Sequence, residues 1–337
     1  MSVVAPAEIG MRAGQTDSDE PAAEFPSILT GAEIKRFSEL RPPRFFVALG
    51  ADVVIILLAI LISERLGGLP LYLAAVIVIG SRLHALAILM HEATHYRATP
   101  IRWLNDMIGE ALALPVLIKM QDYRQTHFAH HRHVNTEDDP DWVRKLGDTD
   151  FAFPKSSFEI GLMLLPFALG VKFFILLRKF KQQSSKYSKS GVRPSKLAVI
   201  RSIAYLVVFS ASILLNFWAM LLFYWIVPLL TSSMVFFHIR SIAEHFAIKS
   251  DHAFNQTRTV ISPFWEAWLL APHNINYHLE HHLYPSVPFY RLPELHDRAM
   301  ASDEYRAKAH ITRGYLTGLL QECRSHNRPE EPSIAGA

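Results

Sequence analysis

Histidine is the residue type that singles this chain out, with 17 among 337 positions and most of them in tight groups. His91-Glu92-Ala93-Thr94-His95 is one group and His127-Phe128-Ala129-His130-His131 a second. His278-Leu279-Glu280-His281-His282 is a third, and His245 stands alone after Arg240 and Glu244. Spacings of three and four residues put side chains on one helical face, about 5–6 Å apart at Cβ. Each group can therefore aim two or three imidazoles at one point, as metal ligation requires. Nine such histidines are too many for one ion and suit two six-coordinate ions with room for a small molecule. Imidazole suits iron, copper, nickel or zinc; with Cys323 the single cysteine and few carboxylates inside the groups, iron is the choice. At this histidine content one chance HxxHH string has a probability of roughly 4%, and two such strings well under about 1%.

The elements that carry these groups must lie partly in a membrane. Hydrophobic residues make up 50% of the chain and charged residues 19%, against about 25% charged in an average soluble protein. A mean hydropathy of +0.15 is modest for a bundle of spans, so a sizeable polar part accompanies them. The excess of 34 Lys+Arg over 31 Asp+Glu is too slight for a nucleic-acid footprint. One cysteine excludes an intramolecular disulfide framework and any cysteine-based zinc or iron–sulfur site.

Residues 45–63 are apolar with Asp52 as the sole charge, and residues 71–90 are apolar with Arg82 and His84 toward the far end. Residues 202–237 carry no charge at all. At about 1.5 Å per residue that run is too long for one crossing and suits two, turning near Asn216, with Pro228 bending the last. The expected fold is therefore all-α and integral to the membrane: four transmembrane helices in two hairpins, with a cytosolic helical cap carrying the histidine groups. Lys35, Arg36, Arg41 and Arg44 precede the first hairpin; Arg178, Lys179, Lys181, Lys186, Lys189, Arg193 and Lys196 precede the second. Only Arg65 lies in a turn between spans, which places the polar segments and the active site on the cytoplasmic side of a multi-pass protein. Two further apolar stretches, 103–120 and 160–177, lie between the histidine groups and the second hairpin. If all groups serve one centre neither can cross, so both are expected as interfacial or re-entrant helices. Residues 1–34 read as a disordered acidic arm without signal-peptide character, 35–300 as one membrane domain, and 301–337 as a C-terminal helix and flexible tail.

The three groups, their separation by apolar hairpins, the string Asn276-Tyr277-His278-Leu279-Glu280-His281-His282-Leu283-Tyr284-Pro285 and the segment Thr136-Glu137-Asp138-Asp139-Pro140-Asp141 resemble the membrane-bound fatty acid desaturase/hydroxylase superfamily. The resemblance runs over about residues 45–300. It implies two iron ions in a di-iron centre, O2 as co-substrate and attack on an unactivated C–H bond of a lipid acyl chain. It also implies His91, His95, His127, His130, His131, His278, His281 and His282 as ligands, with His245 as the ninth. His238 shares a helical face with His245 but lies about 10 Å deeper, too deep for a centre at the membrane exits. Glu92, His133, Asp138, Asp139, Asp141, Glu244, His273 and Asn274 are expected around the ligands, orienting them.

No His-Pro-Gly-Gly string occurs, so electrons are expected from a separate ferredoxin- or cytochrome b5-type donor with its reductase; the basic run from Arg178 offers it a dock or simply signals topology. The form of the first group leaves an alternative open, a hydroxylase or ketolase of the same fold acting on a sphingolipid, carotenoid or acyl chain. His91-Glu92-Ala93-Thr94-His95 is also the HExxH string of zinc proteases, with Glu92 as base. That remote alternative, an intramembrane protease, leaves both HxxHH groups idle. Arg82 and His84 are expected to make an intramembrane hydrogen bond or to meet a substrate headgroup.

Overall fold

The computed structural model describes residues 28–176, 178 and 196–324. The arm through residue 27, most of the basic run 178–196 and the tail from residue 325 lie outside the described residues, as do the expectations for them.

A capping box between Thr30 and Glu33 starts the short helix α1 (Gly31–Phe37). Prolines at the first turn then start α2 (Pro42–Leu66), where the missing N–H is no loss. Gly67 and Gly68, both at positive φ, turn the chain into α3 (Leu69–Thr94). Three shorter helices follow: α4 (Arg102–Ala113), α5 (Met120–His133) and α6 (Ser157–Ala168). At 12–14 residues each they reach about 20 Å, short of a bilayer core, so the stretches 103–120 and 160–177 do not cross in one piece. Leu117 at positive φ breaks the first stretch and Gly170 the second.

The second hairpin is α7 (Lys196–Leu214) and α8 (Trp218–His245), with Asn216 at positive φ in the turn. Ahead of the uncharged run, Arg201 of α7 has a partner inside the protein: it pairs with Glu110 of α4. α8 is interrupted as its proline suggests. A π-helical turn over Leu222–Ile226 precedes Pro228, and Thr231 breaks the helical dihedrals before the final stretch Ser232–His245. Ser232 Oγ there donates to the Val76 carbonyl of α3 at 2.6 Å.

Among the described residues these four long helices are the ones long and apolar enough to cross a membrane. They are not equivalent. In α3 78% of the apolar window is buried, against 17% in α2 and 6% in α7, so α3 is the central post and the others present their faces outward. Beyond α8 come β1 (Thr259–Ile261), α9 (Phe264–Leu270), α10 (His278–Leu283), α11 (Leu292–Ala299), α12 (Asp303–Lys308), β2 (Ile311–Arg313) and α13 (Leu320–Arg324), most of them forming a cap. β1 and β2 pair in parallel, Val260 opposite Thr312. Buried Arg258 donates to the carbonyls of Ile242, Ala243, Phe246 and Ala247, closing the end of α8 that carries His245, and is itself paired with Glu322 at 2.7 Å.

Candidate metal centre

The nine imidazoles come from four helices that end at one level: His91 at the end of α3 and His95 just after it, His127, His130 and His131 on α5, His245 at the end of α8, and His278, His281 and His282 on α10. The fold sorts them into two sets. His91, His95, His127, His131 and His281 have ligand atoms within 4.8 Å of one another, and His130, His245, His278 and His282 form a second set within the same limit. Neighbours in sequence are thus divided, His130 from His131 and His281 from His282, because successive residues on a helix point about 100° apart.

The Nε2 atoms converge. His127 Nε2 lies 2.8 Å from His95 Nε2 and 3.0 Å from His131 Nε2, which is 3.1 Å from His281 Nε2. In the second set His278 Nε2 lies 3.0 Å from both His245 Nε2 and His282 Nε2. With metal–nitrogen bonds of about 2.1 Å, adjacent ligands of an octahedron stand about 3.0 Å apart and those of a tetrahedron about 3.4 Å. The observed separations match the octahedral edge. Donor chemistry agrees, since an all-imidazole set with open positions suits a redox-active first-row ion as well as zinc, while tetrahedral zinc has no use for five nitrogens.

Burial favours the neutral form of most of these rings. It pushes His127, His131, His278, His281 and His282 well below the usual imidazole range, and His95 down to about 3. A carboxylate orients the second set from behind: Asp139 Oδ2 bonds His130 Nδ1 at 2.8 Å, whereas Glu244 Oε1 stands 3.2 Å from His278 Nδ1 without a hydrogen bond to it. Burial raises the Asp139 carboxyl, but its bond to and charge attraction by His130, together with the amides of Asn135 and Trp142, outweigh this and hold it below the usual range. Beside this set lies a polar cavity of about 70 Å³, lined among others by Tyr123, Thr126, Asp141, Arg240 and Glu244.

The other residues expected around the ligands are placed differently. Glu92 is buried and its Oε2 accepts the Phe289 amide at 3.0 Å, so this carboxylate is bound to backbone and not to an imidazole. Asp138 is exposed, and Asp141 pairs with Lys145 at 2.5 Å and with Arg144. His133 contributes its carbonyl, which accepts from Thr136. His273 bonds Asp52 at 2.7 Å and Asn274 the Phe289 carbonyl at 3.1 Å, so both act on the backbone leading to α10 and not on an imidazole. His238 is packed between Phe151 and Phe167, outside both sets. His84 is fully buried against Phe236 and Phe237, and neither ring nitrogen has a hydrogen-bond partner, contrary to the bond expected of it.

Sequence reasoning missed the support under α10. Glu280 is fully buried; its Oε1 accepts from His296 Nδ1 at 2.5 Å and Tyr305 at 2.6 Å, and its Oε2 from Thr259 at 2.5 Å. The signal available was a carboxylate between ligands in a group otherwise free of charge.

A model of the fatty acid desaturase family matches residues 67–314, most of the chain. Among the similar proteins is dihydrorhizobitoxine desaturase of Bradyrhizobium elkanii, 27% identical over 271 residues, covering 77% of this chain and 76% of that one. The sn-1 acyl-lipid omega-3 desaturase (ferredoxin) of a Nostoc strain is 26% identical over 231 residues, 63% of each chain. A Caenorhabditis elegans protein whose name joins sphingolipid delta(4)-desaturase and C4-monooxygenase is 26% identical over 225 residues, 66% of this chain. The match spans 56% of that relative, little more than half its length.

Proposed function

Because the chain belongs to the fatty acid desaturase family, and so is a membrane oxidoreductase, we propose that it is an O2-dependent di-iron enzyme that introduces a double bond into a lipid acyl chain. The observation carrying this reading is the pair of imidazole sets, which together include all nine histidines, with Nε2 separations near an octahedral edge for seven of them. Two iron ions bound there supply the activation of O2 that removal of hydrogen from an unactivated methylene requires. Over the whole reaction the substrate gives up two hydrogens, and O2, with two further protons and two electrons, leaves as two waters.

The protein's own residues prepare that chemistry. Burial keeps most of these imidazoles neutral, with their Nε2 lone pairs available, and Asp139 holds the ring of His130 through its Nδ1. Arg240 is tied to Glu244 at 2.5 Å and holds that carboxylate in place beside the second set. The cavity of about 70 Å³ beside the second set has polar partners and room for water next to those imidazoles. Four helices long and apolar enough to cross support two hairpins, and the Lys/Arg asymmetry supports the cytoplasmic side for the histidine sets. The electron donor is a separate ferredoxin- or cytochrome b5-type protein with its reductase, and a relative whose name specifies ferredoxin supports the first kind.

A hydroxylase is the second reading, favoured by the monooxygenase activity in the name of the Caenorhabditis elegans relative. Lipid analysis of a host with and without the gene decides between them. A new unsaturated acyl chain is the expected result, and a hydroxy or keto lipid in its place transfers the assignment. Stoichiometric zinc in place of iron, with peptide-bond cleavage, would sink both.

A further inference from the structure

We propose that residues 261–275 form a hairpin that dips into the bilayer beside α3 and sets the position of the third histidine group, with Arg82 as its positioning residue. This goes beyond the activity proposed above, and its depth is measurable without reference to any metal.

The two limbs of the hairpin are closed at the top. Val260 N–H donates to the Asn276 carbonyl at 2.9 Å, Asn276 Nδ2 returns a bond to the Val260 carbonyl at 2.9 Å, and Thr259 and Tyr277 form an antiparallel bridge. Between them the chain runs down through α9 and back to α10. Its lower end meets α2 and α3 well inside the span. Arg82 lies nine residues before His91, about 14 Å along the helix, and thirteen residues after Leu69, about 20 Å from the α2–α3 turn. A hydrocarbon core about 30 Å thick that starts near that turn therefore contains Arg82 and whatever touches it.

What touches it is the end of α9. A helix leaves its last carbonyls without partners, and in lipid each one is costly unless the protein satisfies it. Arg82 Nη2 donates to the Trp268 carbonyl and Ser81 Oγ to the Leu269 carbonyl at 2.7 Å. The Arg82 guanidinium also lies over the Trp268 ring, 4.4 Å from its centroid. Asp52 of α2 neutralises it at 3.1 Å and with its other oxygen holds His273 at 2.7 Å. His273 and Asn274 are two successive residues at φ 55°, a conformation L side chains seldom adopt, and this turn sends the chain back up to His278. An ion pair buried in a span is expensive, and here it caps a helix end and fixes a turn.

The hairpin's outer face fits lipid. Phe264 is 82% exposed and Trp265 54% exposed. The one acidic residue of the segment, Glu266, is turned inward and accepts the Tyr315 amide at 2.6 Å. The partner of this face is therefore the hydrocarbon of the bilayer.

The test uses full-length protein in lipid nanodiscs with Cys323→Ala, which removes the sole and buried thiol. A nitroxide is attached at Phe264→Cys and, separately, at Asp303→Cys on α12, and its collisions with O2 and with a water-soluble nickel chelate are measured. At position 264 the O2-to-nickel accessibility ratio should exceed that at 303 by about tenfold; equal ratios overturn the hairpin. Arg82→Met, read at the same label, should raise nickel accessibility several-fold and lower bound iron, with Arg82→Lys recovering part of both. Unchanged depth and iron in Arg82→Met overturn the positioning role. If that variant does not fold, Asp52→Asn replaces it: raised nickel accessibility with lowered iron supports the role, and no change in either overturns it.

Discussion

An imidazole has two nitrogens, and at this site the fate of one decides the aim of the other. Asp139 illustrates how far such detail is legible. The histidine spacing marks His130 directly, but the acidic run Glu137, Asp138, Asp139 and Asp141 offers four carboxylates with nothing to rank them. Asp139 is chosen because it caps the next turn, its Oδ1 accepting the amides of Asp141 and Trp142, which swings Oδ2 onto His130. Asp139→Asn should therefore weaken iron binding about 10- to 100-fold while leaving the fold intact, as titration with a competing chelator would record. The same measurement separates the two histidines of α8. His245→Ala should lose at least one iron and activity, whereas His238→Ala, held between two phenylalanines, should keep both irons. Far from the metals, Glu322 supports Arg258 and through it the end of α8. Burial pushes its carboxyl up, but His310, Arg258 and Thr312 outweigh that and hold it down at about 2. Its contribution is thus complete above the ordinary value near 4.5 and lost as pH falls toward about 2. Glu322→Gln should destabilise the cap by about 3 kcal/mol near neutral pH, and the difference from wild type should vanish in strong acid, which amide exchange around α13 can follow.

At the level of elements, the long helices were legible because length and hydropathy act on many residues at once, and the interruptions of α8 were foreshadowed by Pro228. The hairpin through α9 was not. Its apolar core is seven residues long, below what any span criterion detects, and its place depends on side chains of α2 and α3 nearly 200 residues earlier. Helix pairing was equally hidden. Gly80 packs against α8 so closely that a Cβ there would meet Ser232 Cβ and Ser233 N at 2.8 Å. No neighbouring residue in sequence announces this. Gly80→Ala should push α8 off α3 and cost about 1–3 kcal/mol, read as a lowered midpoint of thermal unfolding in detergent. Gly50→Ala on α2, with nothing within 4 Å, should leave it unchanged.

For the whole molecule, the four-helix bundle beneath a cap was legible, but the rank of its members was not. α3 and α7 have the same mean hydropathy, 2.1, yet one is the buried post and the other lies almost wholly outside. Hydropathy measures affinity for an apolar surrounding and cannot say whether that surrounding is lipid or protein. Sidedness remains a matter of charge. In a Cys323→Ala background, Gly67→Cys in the α2–α3 turn should react with an impermeant maleimide added outside intact cells, and Asp303→Cys only after the membrane is opened. Reaction of both from one side would refute the two-hairpin arrangement.

The pairing of His131 with His281, 3.1 Å apart in space and 150 residues apart in the chain, has a consequence in time. A ribosome adding about 5–20 residues per second needs about 8–30 s to make the intervening segment. Through that interval α3 and α5 are already made, with a partial set of imidazoles and no partner from α10. An incomplete nitrogen site follows the general order of divalent ions, in which copper outranks iron. Until His281 is made the first set therefore offers four of its five histidines, and the second set has His130 alone until His245 is made.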